Sequence, residues 1–107
     1  MPAVMIDASH ANSGYNPDNQ PTVVDAVARQ VENGNGYIMG VMIESHLVAG
    51  RQDLVPGKPL RYGQSITDGC IGWETTVEVL HRLAQAVRQR RGRSQQTRVA
   101  VGGYARA

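Results

Sequence analysis

The chain has 107 residues, eleven Lys and Arg against nine acids, a net charge of +2, and an apolar fraction of 41% that includes no Phe. That suits one domain whose core is built from Val, Ile, Leu, Met and Ala. No apolar run approaches the ~18 residues of a membrane span, the first ten residues lack the basic and hydrophobic regions of a signal peptide, and a single cysteine excludes an internal disulfide.

In chain order, residues 3–7 ("AVMID") form a short apolar run that ends abruptly in polar residues, which predicts a buried strand. Residues 8–21 are dense in Asn, Gly, Ser and Pro and read as a loop. Residues 22–34 predict a helix: Val23, Val27 and Val31 recur at four-residue steps, Thr22 and Asp25 resemble a capping box, and Gly34 suits the position after the helix end. Residues 36–45 ("GYIMGVMIES") are apolar without alternation, which predicts a second strand buried on both faces. Residues 46–72 carry Gly and Pro throughout, a long loop of the kind that is usually functional or disordered. Residues 73–91 predict the last helix, with Trp73, Val77, Leu80, Ala84 and Val87 in one stripe that Leu83 widens. Glu78 and Arg82 stand at i, i+4 in the favourable order. Seven arginines and no acid lie from Arg82 onward. Without interleaved aromatics they read as a helix C-terminus favoured by the macrodipole and a disordered basic tail over 93–107, not as a nucleic-acid surface. Neither a nucleic-acid nor a membrane partner is expected, and the setting is expected to be cytoplasmic.

Strand, helix, strand gives a right-handed βαβ unit in a parallel sheet. Two strands are marginal alone, and parallel sheets normally carry helices on both faces. The chain is therefore expected to oligomerise or to belong to something larger. In parallel α/β proteins chemistry gathers where strands end. The first strand runs into Asp7, Ser9 and His10, the second into Glu44, Ser45 and His46, and the long loop adds Asp68. Neighbouring strands lie about 4.8 Å apart, so the two ends are close. His with Glu and Asp is a mixed N/O donor set suited to Mn, Fe, Co or Zn. Each residue also has a plainer reading. His10 suits a hydrogen-bonded loop, Glu44 a salt bridge or cap, Asp68 an early N-cap, and Asp7 an Asx-type turn. His46 and His81 carry no role.

Three motifs, "VMIDASHANS", "GVMIESHLVAG" and "YGQSITDGCIGWE", together resemble the C-terminal part of the class I 3-deoxy-D-arabino-heptulosonate-7-phosphate (DAHP) synthases, with the likeness running over about residues 3–92. The resemblance implies an α/β fold in which residues 1–92 are about the last two βα units of a (β/α)8 TIM barrel. It implies a metal-dependent, aldol-like condensation of phosphoenolpyruvate with erythrose 4-phosphate to DAHP and phosphate, the first step of the shikimate pathway, in an enzyme that is a homo-oligomer at full length. It places His10, Glu44 and Asp68 as ligands of a divalent metal (Mn, Fe, Co or Zn), with Asp68 also a candidate for proton transfer. The family's ligating cysteine comes from an early barrel strand and is not Cys70, which reads as a small buried residue. The family's Lys-Pro-Arg-Thr segment, its phosphoenolpyruvate phosphate clamp and its regulatory region have no counterpart here. A barrel takes about 250 residues, so the chain alone is expected to be inactive, the product of a truncated or frameshifted gene. The alternative is a small non-catalytic module that binds metal or docks on a barrel.

Overall fold

The computed structural model describes residues 2–105, with side chains described through residue 93. The short apolar runs and the amphipathic helix between them fold as one βαβ crossover: β1 (Val4–Asp7), α1 (Gln20–Glu32) and β2 (Ile38–Met42), followed by a long connection and α2 (Trp73–Ala105). Two 3-10 turns, His10–Ser13 and Pro17–Asn19, lead from β1 into α1. The strands pair in parallel, from Val4 opposite Ile38 to Asp7 opposite Met42, with one irregularity between Val4 and Met5. The N–H of Ala8 donates to the Met42 carbonyl at 2.9 Å and carries the pairing one residue beyond β1.

The α1 helix begins at Gln20, upstream of the predicted start. Pro21 sits in its first turn, where the absent N–H has no intrahelical partner to lose. The Thr22–Asp25 capping box therefore does not form, because Thr22 is already inside the helix. Asp25 instead faces two guanidinium groups, Arg82 at 2.9 Å and Arg29 at 3.1 Å. The expected stop is present: Gly34 adopts φ +103° and its N–H returns to the Val31 carbonyl.

The core has two clusters. In one, Val27, Ala28 and Val31 of α1 meet Ile38 and Ala86; in the other, Val24 meets Ala8, Ile71 and Val79. The α2 helix starts where predicted but is rotated about its axis. Thr76, Val79 and Ala86 are its buried residues, whereas Trp73 and Leu80 are 53% and 51% exposed. Ile71, just before the helix, is the anchor there, and Trp73 is not. The rotation turns Arg82 toward α1, where its guanidinium takes Asp25 at 2.9 Å and both oxygens of Glu32 at 2.9 and 3.1 Å. A forked, partly buried pair of this kind outcompetes a solvent-exposed i, i+4 pair, so the expected Glu78–Arg82 partnership is not made.

The prediction of a second strand buried on both faces also changes. Ile38 and Val41 pack toward the helices, but Met39 is 67% and Met5 61% exposed, so the sheet is not covered on both faces. The α2 helix runs through Gly92, and the basic tail predicted over 93–107 falls on residues whose side chains, beyond Arg93, lie outside the described residues. Among the described residues no helix is long and apolar enough to cross a membrane.

The Arg82 guanidinium, by hydrogen bonding, holds the Asp25 and Glu32 carboxyls below their ordinary values. A depressed folded-state pKa contributes stability above the unfolded value that is lost as pH falls through the folded one. Arg82→Leu should therefore melt lower than wild type at neutral pH, with the gap closing as pH drops below about 4. Thermal unfolding by circular dichroism across pH 7 to 2.5 (roughly the carboxylate range) checks this, and a gap that does not vary with pH would assign Arg82 to packing alone.

Candidate metal centre

Because Asp7 is opposite Met42, the chain leaves both strands side by side. His10 follows in the first 3-10 turn with φ +44°, a left-handed backbone that a β-carbon disfavours and that persists only when its surroundings enforce it. The enforcement is a set of short hydrogen bonds. The Ser9 N–H donates to Asp7 Oδ1 at 2.7 Å, Asn12 Nδ2 to the Asp7 carbonyl at 2.6 Å, and Ser13 Oγ to the His10 carbonyl at 3.0 Å.

Glu44 is set by a residue that sequence reasoning missed. The side chain of Gln20 is wholly buried. Its Oε1 accepts the Glu44 N–H at 2.7 Å and its Nε2 donates to the Glu44 carbonyl at 3.0 Å. The Ile71 N–H donates to that same carbonyl at 3.0 Å. Gln20 thus continues the ladder past the end of β2, where among the described residues only the Ile71 bridge runs alongside. A lone Gln in a run of Asn and Pro has no spacing that would distinguish it from loop.

Asp68 arrives on the returning arm of the long connection. Gly50 and Cys70 exchange two backbone hydrogen bonds, at 2.8 and 3.1 Å, which fold the arm back across the end of β2. Gly69 lies against Pro17, and a β-carbon there would stand 2.9 Å from the Pro17 Cγ, so only glycine lets the arm approach that closely. Asp68 is no cap of α2, which begins at Trp73.

These supports bring the three predicted residues together. His10 Nε2 lies 3.1 Å from Glu44 Oε1 and 3.4 Å from Asp68 Oδ2, and the three donor atoms fall within 4.8 Å of one another. The other ring nitrogen, Nδ1, is 2.8 Å from Asp7 Oδ2. The hydrogen bond to Asp7, with smaller contributions from Asp68 and Glu44, holds the imidazole above its usual range, and His10 in turn holds the Asp7 carboxyl below its own. The residues open onto a cleft of about 200 Å3 whose walls include Ser13, Tyr15, Arg51 and Thr67. Arg51 is itself tied down, Nε to the Thr67 carbonyl and Nη2 to Asp53, both at 2.8 Å. Cys70 is buried beside the site and burial pushes its thiol up, which fits a small neutral core residue. His46 turns its Nδ1 to the Leu47 N–H, and His81 is exposed on α2; neither joins the cluster.

The donor set fits a divalent ion. Ligand bonds of about 2.0–2.2 Å set adjacent donors roughly 3.0–3.4 Å apart in octahedral or tetrahedral arrangements, which is the spacing of His10 Nε2 from the two carboxylate oxygens. One imidazole and two carboxylates is the mixed set that suits Mn, Fe, Co or Zn.

Comparison with known proteins agrees with the motifs. The DAHP synthetase I family matches residues 1–81, three quarters of the chain. The chain belongs to the DAHP synthetase I family. The Phe-sensitive phospho-2-dehydro-3-deoxyheptonate aldolase of Escherichia coli K12 is 55% identical over 89 residues, covering 83% of this chain and 25% of that protein. The tyrosine-inhibited enzyme of Candida albicans is 50% identical over 97 residues, covering 87% of this chain and 26% of that protein. The solved structure of phospho-2-dehydro-3-deoxyheptonate aldolase from Francisella tularensis matches 82% of this chain and 25% of its own, at 50% identity and a TM-score of 0.77. The chain therefore spans about a quarter of the length of the DAHP synthases it matches. Relatives named for sensitivity to two different amino acids match it about equally, so the shared segment does not distinguish between them.

Removing the Gln20 amide leaves the Glu44 N–H buried without its partner. Gln20→Ala should cost about 1–3 kcal/mol in urea unfolding, and Gln20→Glu, which would bury a carboxylate against the Glu44 carbonyl, should be at least as destabilising at neutral pH. An unchanged urea midpoint in Gln20→Ala would mean that Ile71 alone holds this strand end.

Proposed function

We propose that this chain is the part of a DAHP synthase barrel, about its last two βα units over residues 1–92, that carries His10, Glu44 and Asp68 as ligands of a divalent metal (Mn, Fe, Co or Zn). The reaction it serves is the condensation of phosphoenolpyruvate with erythrose 4-phosphate to DAHP and phosphate. The observation that carries this reading is the convergence of one imidazole nitrogen and two carboxylate oxygens at 3.1 and 3.4 Å, in a chain of this family. The uncovered Met5 and Met39 support the barrel assignment, because further strands and their side chains would pack there.

A metal in this position supplies Lewis-acid polarisation of the aldehyde carbonyl. The protein's own residues divide the remaining work. Glu44, with its backbone clamped and its side chain only 20% exposed, is the rigid ligand. Asp68, 68% exposed and on the returning arm of the long connection, is the carboxylate that takes or returns a proton at the reacting aldehyde. His10 supplies the single nitrogen. His10 and Asp68 stand partly in solvent in this chain, so water is not excluded, and by the family resemblance the groups that grip the substrates' phosphates belong to parts of the barrel that the chain does not span.

Two measurements test the reading. The purified chain should bind one Mn2+ by calorimetry, with binding abolished in His10→Ala, and should release no phosphate from the two substrates. A chimera in which residues 3–92 replace the matching segment of the Escherichia coli relative should be active, and should lose measurable activity on Asp68→Ala. A chain that binds no Mn2+, or a chimera indifferent to Asp68→Ala, would sink the proposal.

A further inference from the structure

The structure assigns Asp7 as the positioning residue of the metal centre: its carboxylate holds the His10 ring with the proton on Nδ1, so that Nε2 is left to ligate. This rests on the metal-centre reading above.

A neutral imidazole carries one N–H, and which nitrogen bears it is set by what each nitrogen faces. In this site both nitrogens face carboxylates. Nδ1 is 2.8 Å from Asp7 Oδ2, while Nε2 is 3.1 Å from Glu44 Oε1 and 3.4 Å from Asp68 Oδ2. An ionised carboxylate only accepts hydrogen bonds. Without Asp7, the proton would be drawn to Nε2 by the two acids opposite, and that nitrogen would lose the lone pair a metal needs. Asp7 makes the closest contact and reverses the preference.

The two oxygens of Asp7 do separate jobs. Oδ1 accepts the Ser9 N–H at 2.7 Å and holds the turn; Oδ2 is left for the ring. Asp7 is itself fixed as the last residue of β1, paired with Met42, and its carbonyl accepts from Asn12. The position of the ring is thereby referred to the sheet and not to the left-handed backbone of His10, whose φ of +44° leaves no relaxed alternative to rely on. Groups that orient a ligating histidine in this way typically contribute 10–100-fold, roughly, to metal affinity.

Asp7→Asn separates the two jobs. Its single oxygen can serve the Ser9 N–H, as Asn does in such turns, but cannot also accept from the ring. The Asn variant should keep the circular dichroism spectrum and melting curve of wild type, bind Mn2+ about 10–100-fold more weakly, and lose the slowly exchanging His10 Nδ1–H signal that the Zn2+-loaded wild-type chain should show by 15N NMR. Asp7→Ala should lose metal affinity at least as far, with a lower melting temperature. If wild type binds Mn2+ and the Asn variant binds it equally well with the Nδ1–H signal intact, Asp7 only holds the turn and the inference is overturned while the metal centre stands. If wild type binds no Mn2+, the metal reading fails and the inference falls with it.

Discussion

Asp7 pairs with Met42, and that register decides what the two strand ends can do together. A parallel pair sets its residues side by side at about 4.8 Å, so residues a few positions beyond the last pair emerge as neighbours whatever their distance in sequence. His10 and Glu44 meet for this reason. A slip of one residue would turn every side chain of one strand to the opposite face; the one irregularity lies upstream, between Val4 and Met5, and from Met5 to Asp7 the pairing is regular. The crossover helix secures the arrangement from behind: α1 begins with Gln20, whose amide replaces the strand that β2 lacks at Glu44.

The long connection costs conformational entropy, and the structure shows where that cost is offset. Isolated bridges join Ser45 to Ile71, Gly50 to Cys70 and Arg51 to Ser65, so the segment is an arch folded on itself. At its middle the Gln52 side chain donates to the Arg61 and Gln64 carbonyls and accepts the Arg61 N–H, standing in for backbone partners there. Two buried or half-buried glutamines thus do at the strand end and in the arch what regular ladders do elsewhere. Ser45 and Thr76 join hydroxyls across the base of the arch, and Thr76 also bonds the Gly72 carbonyl at 2.8 Å, which ties the arch to α2.

Much of this was legible in the sequence because it rests on local pattern. Two apolar runs, the four-residue recurrence of Val23, Val27 and Val31, and Gly34 marked the βαβ unit, and the polar residues at the strand ends marked the cleft. What was not legible depends on tertiary competition. Thr22 and Asp25 satisfy a capping pattern, but Arg82 claims Asp25 from another helix. Trp73 and Leu80 belong to an apolar stripe, but α2 buries Thr76, Val79 and Ala86 instead and brings Arg82 onto α1. Gln20 is chemically ordinary until Glu44 is placed beside it. Asp7 reads as an Asx-type turn, which one of its oxygens makes with Ser9, while its pairing with the His10 ring through the other had no signal of its own.

The sheet ends at β1 on one side and β2 on the other, so each strand has an outer edge that no further strand pairs among the described residues, and on β2 only the Ile38 carbonyl is taken by a side chain there, Arg90 Nη1 at 3.2 Å. Natural edges are blunted by charge, proline or cover. Here the cover is partial: Arg90 reaches the start of β2, but the strand itself reads "IMGVM" with no charged residue, and β1 carries only Asp7, whose carboxylate is occupied by His10 and Ser9. Such edges are templates for strands of other chains, and they are flanked by uncovered methionines. Self-association of the polypeptide therefore has its most direct route through the sheet, which its modest net charge does little to oppose.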